Sequence, residues 1–249
     1  MDTMLILGDG GLGRAVDAAA RERAERDPGV WPIRLVGRPI GARHDPADLV
    51  DAGLIVDASR ADAVASNVEV ALEAGCRRFV IATTGWANDR SQVEKLLMTH
   101  RAAAVTASNF SLGVALFGRV VEYAVELFGP LEAFDPYLLE WHRRAKRDRP
   151  SGTAGDLARR IAAAHPRLAS PDDLEVVSIR AGSSPGMHLV GFDAAGETVE
   201  LRLTARDRSA YAAGILAAAD WLRRAPRTPG LHPFDPVVDE LIARDRIAA

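Results

Sequence analysis

Apolar residues in the first part of the chain come in short unbroken runs. Each run leads into a turn and then into a stretch with helical spacing. Residues 4–7 (Met-Leu-Ile-Leu) form the first run, and an alanine-rich helix is expected from 14 to about 26. Runs at 33–36, 54–56, 79–82 and 104–106 read as further strands. Helices are expected over 61–73, where Gly75 is the stop signal, and over 91–101. Continuous apolar strands alternating with helices imply βαβ units and a parallel sheet.

The pattern changes after about residue 112. Residues 114–128 have the spacing of a long amphipathic helix, and 134–142 alternate like a strand with one exposed face. A basic loop follows, and a helix opens at Pro150-Ser151-Gly152-Thr153-Ala154. The segments 174–181, 187–192 and 198–205 are expected to be antiparallel strands. A helix over 210–223, a proline-rich tail and a short terminal helix complete the chain. The predicted class is α/β. A Rossmann-type dinucleotide-binding domain (1–112 plus 208–249) is interrupted by an α+β domain (113–207) that holds the substrate.

Composition narrows the functions. Of 249 residues, 48% are hydrophobic and 26% charged, which suits a globular fold. A formal net charge of −3 leaves no global basic footprint for nucleic acid, and 6% aromatics leave little for base stacking. The single cysteine, Cys76, cannot form an internal disulfide and is read as packing. The six histidines have no metal-ligand spacing, so no metal is expected. No apolar run approaches the roughly 20 residues of a membrane span. The first residues read as a strand rather than a basic-then-apolar leader. A cytoplasmic protein without a membrane or nucleic-acid partner is the expectation.

The loop Gly8-Asp9-Gly10-Gly11-Leu12-Gly13 lies between a strand and a helix, the context a dinucleotide fingerprint needs. Gly8 permits the tight turn, Gly10 lets the backbone approach a pyrophosphate, and Gly13 lets helix and strand pack closely. The helix N-terminus favours the phosphate charge. The second strand ends at Gly37-Arg38. An arginine there suits the 2′-phosphate of NADPH better than the acid that grips the ribose of NADH. In open parallel sheets ligands gather at the carboxyl ends of strands. Asp57, Thr83, Thr84 and Gly85 end the third and fourth strands and are therefore placed toward the nicotinamide side, although Asp57 equally suits a neighbour of a helix cap.

The most informative segment is Glu140-Trp141-His142-Arg143-Arg144-Ala145-Lys146-Arg147-Asp148-Arg149-Pro150-Ser151-Gly152-Thr153-Ala154. From Arg143 to Arg149 it carries five positive side chains against one negative, in a chain that is negative overall. Such a loop binds an anion, or is simply solvated. The helix beginning at Ser151 offers backbone N–H groups to a carboxylate. Thr153 and Asp156 have a spacing like that of a capping box. Period-two geometry puts Glu140 on the face of His142, where it could orient the ring or offset the cations that depress the histidine pKa. Arg143 points the other way unless the strand has ended. It is expected to hold a substrate carboxylate, with a solvent-facing arginine as the alternative.

That segment resembles the signature of the 4-hydroxy-tetrahydrodipicolinate (dihydrodipicolinate) reductases. Other segments agree in order: the glycine loop, Thr83-Thr84-Gly85-Trp86, Ser108-Asn109-Phe110-Ser111, Arg180-Ala181-Gly182 with Pro185-Gly186 and His188, and Arg206-Asp207-Arg208. The resemblance implies that His142 donates a proton and that Lys146 binds substrate and assists. It implies that Ser151, Gly152 and Thr153 hold a carboxylate of a small dicarboxylate, with Arg208 near the substrate. The Thr83–Gly85 loop and Ser108, Asn109 and Phe110 would touch the nicotinamide end of NADPH or NADH. It further implies a tetramer formed through the sheet of the central domain. Two departures stand out. The family usually has a second histidine where this chain has Arg143, and Asp-Phe-Thr or similar where it has Asp57-Ala58-Ser59. The rival readings are another Rossmann amino-acid or diamino-acid dehydrogenase, and a nucleotide-sensing protein without catalysis.

Overall fold

A computed structural model describes residues 3–26, 32–37 and 43–248. The chain divides into two compact units, Met1–Leu112 with Arg208–Ala249, and Gly113–Asp207.

The first unit is a six-stranded parallel sheet. Its strands are β1 (Thr3–Leu7), β2 (Ile33–Val36), β3 (Ala52–Asp57), β4 (Arg78–Ile81), β5 (Ala103–Thr106) and β10 (Gly230–His232), in the order β10-β5-β4-β3-β1-β2. Helices α1 (Gly11–Arg26), α2 (Val64–Glu73), α3 (Arg90–Thr99), α6 (Ser209–Arg224) and α7 (Asp235–Ala248) belong to it. Met4 to Leu7 are all buried, and so are Leu54 to Asp57, which is why these strands read as unbroken apolar runs rather than alternating ones. Leu5, Leu7, Ile55, Phe79 and Ile81 share a core with Val64, Val68 and Leu72 of α2 and Val93 and Leu97 of α3. Helix α6 packs beside α1, with Arg23 and Asp220 paired at 2.8 Å. The return of the chain after residue 208 therefore completes this unit. Strand β10 was not expected. It lies in the proline-rich tail and is three residues long, too short for any period, and its pairing with β5 alone defines it. The terminal helix spans 14 residues instead of being short.

The second unit is a four-stranded sheet of β6 (Asp135–His142), β7 (Glu175–Arg180), β8 (Met187–Ala194) and β9 (Glu197–Thr204), in the order β7-β6-β8-β9. Helices α4 (Leu112–Phe128) and α5 (Gly152–Ala164) supply its core, where Val121, Val125, Leu157 and Ile161 meet Leu138, Val190 and Phe192. The expectation of three antiparallel strands is corrected in one place. β7 pairs parallel with β6, while β6–β8 and β8–β9 are antiparallel. The reason is the connection. Helix α5 and its loops carry the chain back to the starting end of β6, and a crossover of that length makes a parallel neighbour. Leu138, Glu140 and His142 of β6 are buried. Trp141, Val177 and Ile179 lie on the opposite face and are more than a third exposed.

Gly214 marks where α6 meets the rest of the first unit. A Cβ there would fall 1.7 Å from the carbonyl oxygen of Phe110 and 3.1 Å from the ring of Phe234. Gly214→Ala is expected to lower the unfolding free energy by about 2–3 kcal/mol through overpacking. Urea denaturation checks this as a lower midpoint at unchanged slope.

Candidate active site

The glycine loop has the geometry its spacing implies. Gly8 has φ +102°, and a Cβ on it would lie 2.6 Å from the Ala58 carbonyl oxygen, so the turn after β1 can touch the turn after β3 only without a side chain. A Cβ on Gly13 would fall 1.8 Å from the Gly8 carbonyl oxygen, which lets α1 close onto β1. Gly10 has nothing within 4 Å of its Cβ position and is exposed, as are Asp9 and Gly11. Leu12 is half-buried in the first turn of α1. A pyrophosphate fits this arrangement, with open backbone at a helix N-terminus. Arg38 lies outside the described residues.

Two sequence-derived roles in this unit are corrected. Asp57 is 1% exposed, and its carboxylate is taken up inside the protein. Oδ1 accepts from the Ser59 N–H (3.0 Å), the Ser59 hydroxyl (2.7 Å) and the Thr83 hydroxyl (2.6 Å), and Oδ2 accepts from Asn67 (2.8 Å). Asp57 thus organises the turns after β3 and β4 from beneath and is not offered to a ligand. Phe110 is buried against Phe234, with ring centroids 5.1 Å apart, so its ring belongs to the core. Arg208, expected near the substrate, lies on the glycine loop: a Cβ on Gly11 would fall 2.1 Å from its Nη1. Thr84 and Gly85 (φ +85°) are exposed beyond the buried Thr83, and Ser108 is exposed. Asn109 is half-buried and accepts from the Ser111 N–H at 2.8 Å.

The second unit is centred on Glu140, which is fully buried. Its Oε1 accepts from three groups: the Ser151 N–H (3.0 Å), the Ser178 hydroxyl (2.6 Å) and Arg180 (2.6 Å). Its Oε2 stands 3.0 Å from His142 Nδ1 and 3.9 Å from His188 Nε2. Strand register explains the gathering. Glu140 faces Ser178 and His142 faces Arg180 across the parallel pair, and Glu140 faces His188 across the antiparallel one. Burial opposes ionisation of Glu140, but the hydrogen bonds from Ser151, Ser178 and Arg180 outweigh it and hold the carboxyl at about 2. Burial pushes the His188 imidazole down to about 4, with His142 adding to the effect. His142 is lowered as well. Desolvation is the main cause, Glu140 opposes it, and Lys146 and Arg180 reinforce it.

Helix α5 starts at this carboxylate. Ser151 caps it by accepting from the Ala154 N–H at 3.2 Å, and its hydroxyl is 3.3 Å from His188 Nε2. The cap is therefore Ser151, and Thr153 lies inside the first turn. Ser151 is 3% exposed and occupied on both its N–H and its hydroxyl, so it shapes the helix start rather than presenting itself. Gly152 is exposed with open space at its Cβ position, and Thr153 is half-buried. First-turn N–H groups have no intrahelical acceptor, so this is where an anion would sit. Lys146 is half-buried and pairs with Asp148 at 2.9 Å. Arg143 follows the end of β6, its N–H donates to the Ser184 carbonyl at 2.7 Å, and its side chain is exposed.

Glu140, His142 and His188 bring three possible metal ligands within 4.8 Å of one another. Arg180 already neutralises the carboxylate, and Lys146 adds positive charge, so the cluster is better suited to handling a proton than to holding a cation. Arg180, Ser178 and His188 had no role in the sequence reading. Period-two alternation on the three strands could have found them, but only with the pairing known.

Comparison with known proteins follows the same division. Residues 11–110 match the family described as dihydrodipicolinate reductase, N-terminus, and residues 113–237 match its C-terminus. A 4-hydroxy-tetrahydrodipicolinate reductase of Archaeoglobus fulgidus is 34% identical over 218 residues, 82% of this chain and 81% of the relative. One from Rhodopseudomonas palustris is 32% identical over 243 residues, 90% and 86% of the two chains. A dipicolinate-bound dihydrodipicolinate reductase from Paenisporosarcina sp. TG-14 shares the fold with a TM-score of 0.68 at 18% identity, covering 94% of this chain and 98% of that one.

The buried cluster makes stability depend on pH with a definite sign. Glu140 titrates near 4.5 unfolded and about 2 folded, so its contribution is complete above 4.5 and is lost as pH falls toward 2. His188 titrates near 6.5 unfolded and about 4 folded. The fold favours its neutral form, and its contribution disappears as pH falls from 6.5 toward 4. Each step is on the order of 3 kcal/mol. Urea denaturation across pH 3 to 7 is expected to show both declines, and Glu140→Gln should abolish the lower one.

Proposed function

As this chain belongs to the dihydrodipicolinate reductase family, we propose the following division of labour for its reaction, the NAD(P)H-dependent reduction of 4-hydroxy-tetrahydrodipicolinate to tetrahydrodipicolinate. The family match spans both units, so the readings as a different amino-acid dehydrogenase or a non-catalytic sensor fall away. The ring hydroxyl leaves as water, a hydride adds at that carbon, and the resulting enamine takes a proton. NADH or NADPH, when bound, supplies the hydride. The first unit holds it through Gly8, Gly10 and Gly13 with the neighbouring Gly11 and Leu12, and through Thr83 to Gly85, Ser108 and Asn109. Arg38 is taken to favour NADPH.

The second unit supplies the proton and grips the dicarboxylate. The buried contact between Glu140 and His142 carries this reading. With Oε2 of Glu140 3.0 Å from Nδ1, the other ring nitrogen, Nε2, is left to take up a proton from solvent and then pass it to the substrate as the imidazolium reverts to imidazole. That atom lies 3.0 Å from where a Cβ on Gly186 would be, and Gly186 has φ +152°, so the glycine keeps the space beside it clear. The same carboxylate fixes the Ser151 N–H, which ties the proton donor to the start of α5. Gly152 and Thr153 would take one substrate carboxylate there. Lys146 would take part of the charge, and the exposed Arg143 the second carboxylate.

The open face of the sheet supports an assembly. Trp141, Val177 and Ile179 are exposed side by side on β6 and β7, the kind of apolar patch that a homotetramer formed through this sheet would bury. Among the described residues no helix is long and apolar enough to cross a membrane. A single buried cysteine suits the cytoplasm, where thiols stay reduced.

Aspartate semialdehyde and pyruvate, supplied with the upstream synthase, should give steady loss of NADPH or NADH absorbance with this protein. His142→Gln is expected to cut kcat by about 10²–10⁴-fold while cofactor affinity and thermal midpoint hold; unchanged turnover would return His142 to a structural role. Arg143→Ala should raise KM and weaken its salt dependence, with Arg143→His falling between. An unaltered KM would leave Arg143 a solvated surface residue.

A further inference from the structure

The dinucleotide fingerprint needs three glycines, and positions 8, 10 and 13 supply them. The loop has a fourth, Gly11, at the first residue of α1. It has no left-handed φ to require it, and glycine is a poorer helix former than alanine. What its missing side chain makes room for is Arg208. A Cβ on Gly11 would fall 2.1 Å from Nη1 of Arg208 and 3.0 Å from its guanidinium carbon. Arg208 stands just ahead of α6, makes no side-chain capping bond, and pairs with no carboxylate among the described residues. A permanent cation therefore lies against the first turn of the helix whose N–H groups and dipole already favour an anion. The loop's own acid, Asp9, turns to Gly37 beyond the end of β2, with Oδ2 4.0 Å from the Cβ position there.

We propose that Arg208 is a cofactor-binding residue that grips the pyrophosphate of NADH or NADPH at the glycine loop, and that Gly11 is glycine in order to admit it. The guanidinium fork matches phosphate oxygens in pairs, and its charge offsets both that of the pyrophosphate and that of Asp9. Helix α6 would carry the clamp from residues near the end of the chain to a loop at its beginning. This inference rests on the reading of the first unit as the NAD(P)H site.

The test is direct binding to the apo protein. Dissociation constants for NADH and NADPH are measured by calorimetry or nucleotide fluorescence, with inorganic pyrophosphate as competitor and over a series of salt concentrations. Arg208→Ala is expected to weaken both nucleotides by a similar factor, about ten- to a hundredfold. It should also flatten the salt dependence and abolish competition by pyrophosphate. Arg208→Lys should recover part of the loss. Gly11→Ala should weaken binding in the same way while its thermal midpoint holds or rises, which separates loss of the clamp from loss of the fold. Arg206→Ala, a neighbouring exposed arginine, should change nothing. Wild-type affinity in both Arg208→Ala and Gly11→Ala overturns the proposal. So does a loss confined to NADPH, which would put Arg208 on the 2′-phosphate. A parent protein that binds neither nucleotide overturns the underlying site reading and the clamp together.

Discussion

A carboxylate with no exposure to water must be ionised among partners or not ionised at all, and Glu140 meets that constraint with Arg180, itself 1% exposed at its side chain. Much of the second unit's site follows from it. Three donors converge on one oxygen from β7 and from the start of α5, so the strand register and the entry point of the helix are fixed together. The other oxygen faces the imidazole of His142. Such a pair adds little net stability over an apolar replacement of the same shape, but removing one member leaves a buried charge and costs about 3–5 kcal/mol. Its contribution is geometric: it sets where the His142 imidazole stands relative to the start of α5.

The first unit uses the same device. Asp57 ends β3 under the surface, and its oxygens hold Ser59, Thr83 and Asn67. In both units a buried acid near the end of a strand organises the loops above it, and the groups free to meet ligands are the ones those loops expose. The glycine loop adds a steric counterpart. Its shape depends on what is missing at Gly8 and Gly13, where a methyl group would run into backbone oxygen.

The cations divide into two kinds. Arg180 has a buried side chain held by Glu140 and by the backbone carbonyls of Ile179 and Asp148, and is structural. Arg143, Arg144 and Arg147 are exposed, so their attraction for a dianion is screened over a Debye length of about 8 Å at physiological salt. In the proposed site, steering by them would precede binding, and selection would rest on groups held in place: Lys146, the first turn of α5 and the His142 imidazole. The Glu140 charge keeps the surrounding positive field from driving the imidazole pKa lower still.

Much of this was legible in the chain itself. Unbroken apolar runs placed the parallel strands because a sheet covered on both faces needs no polar side. The glycine spacing placed the nucleotide loop because backbone sterics act over a few residues. Alternation in β6 put Glu140 beside His142, since that geometry is local to one strand. The remaining features depend on contacts between distant segments, which no local period encodes. β10 exists only through its pairing with β5. β7 runs parallel because α5 carries the chain back across the sheet. The occupation of Asp57 and Ser151 could be seen only once their partners were in place, because a polar side chain reads the same in sequence whether it is spent inside or free to bind. Arg208 reached Gly11 across nearly two hundred residues by the docking of α6 against α1, a packing decision of the tertiary structure alone.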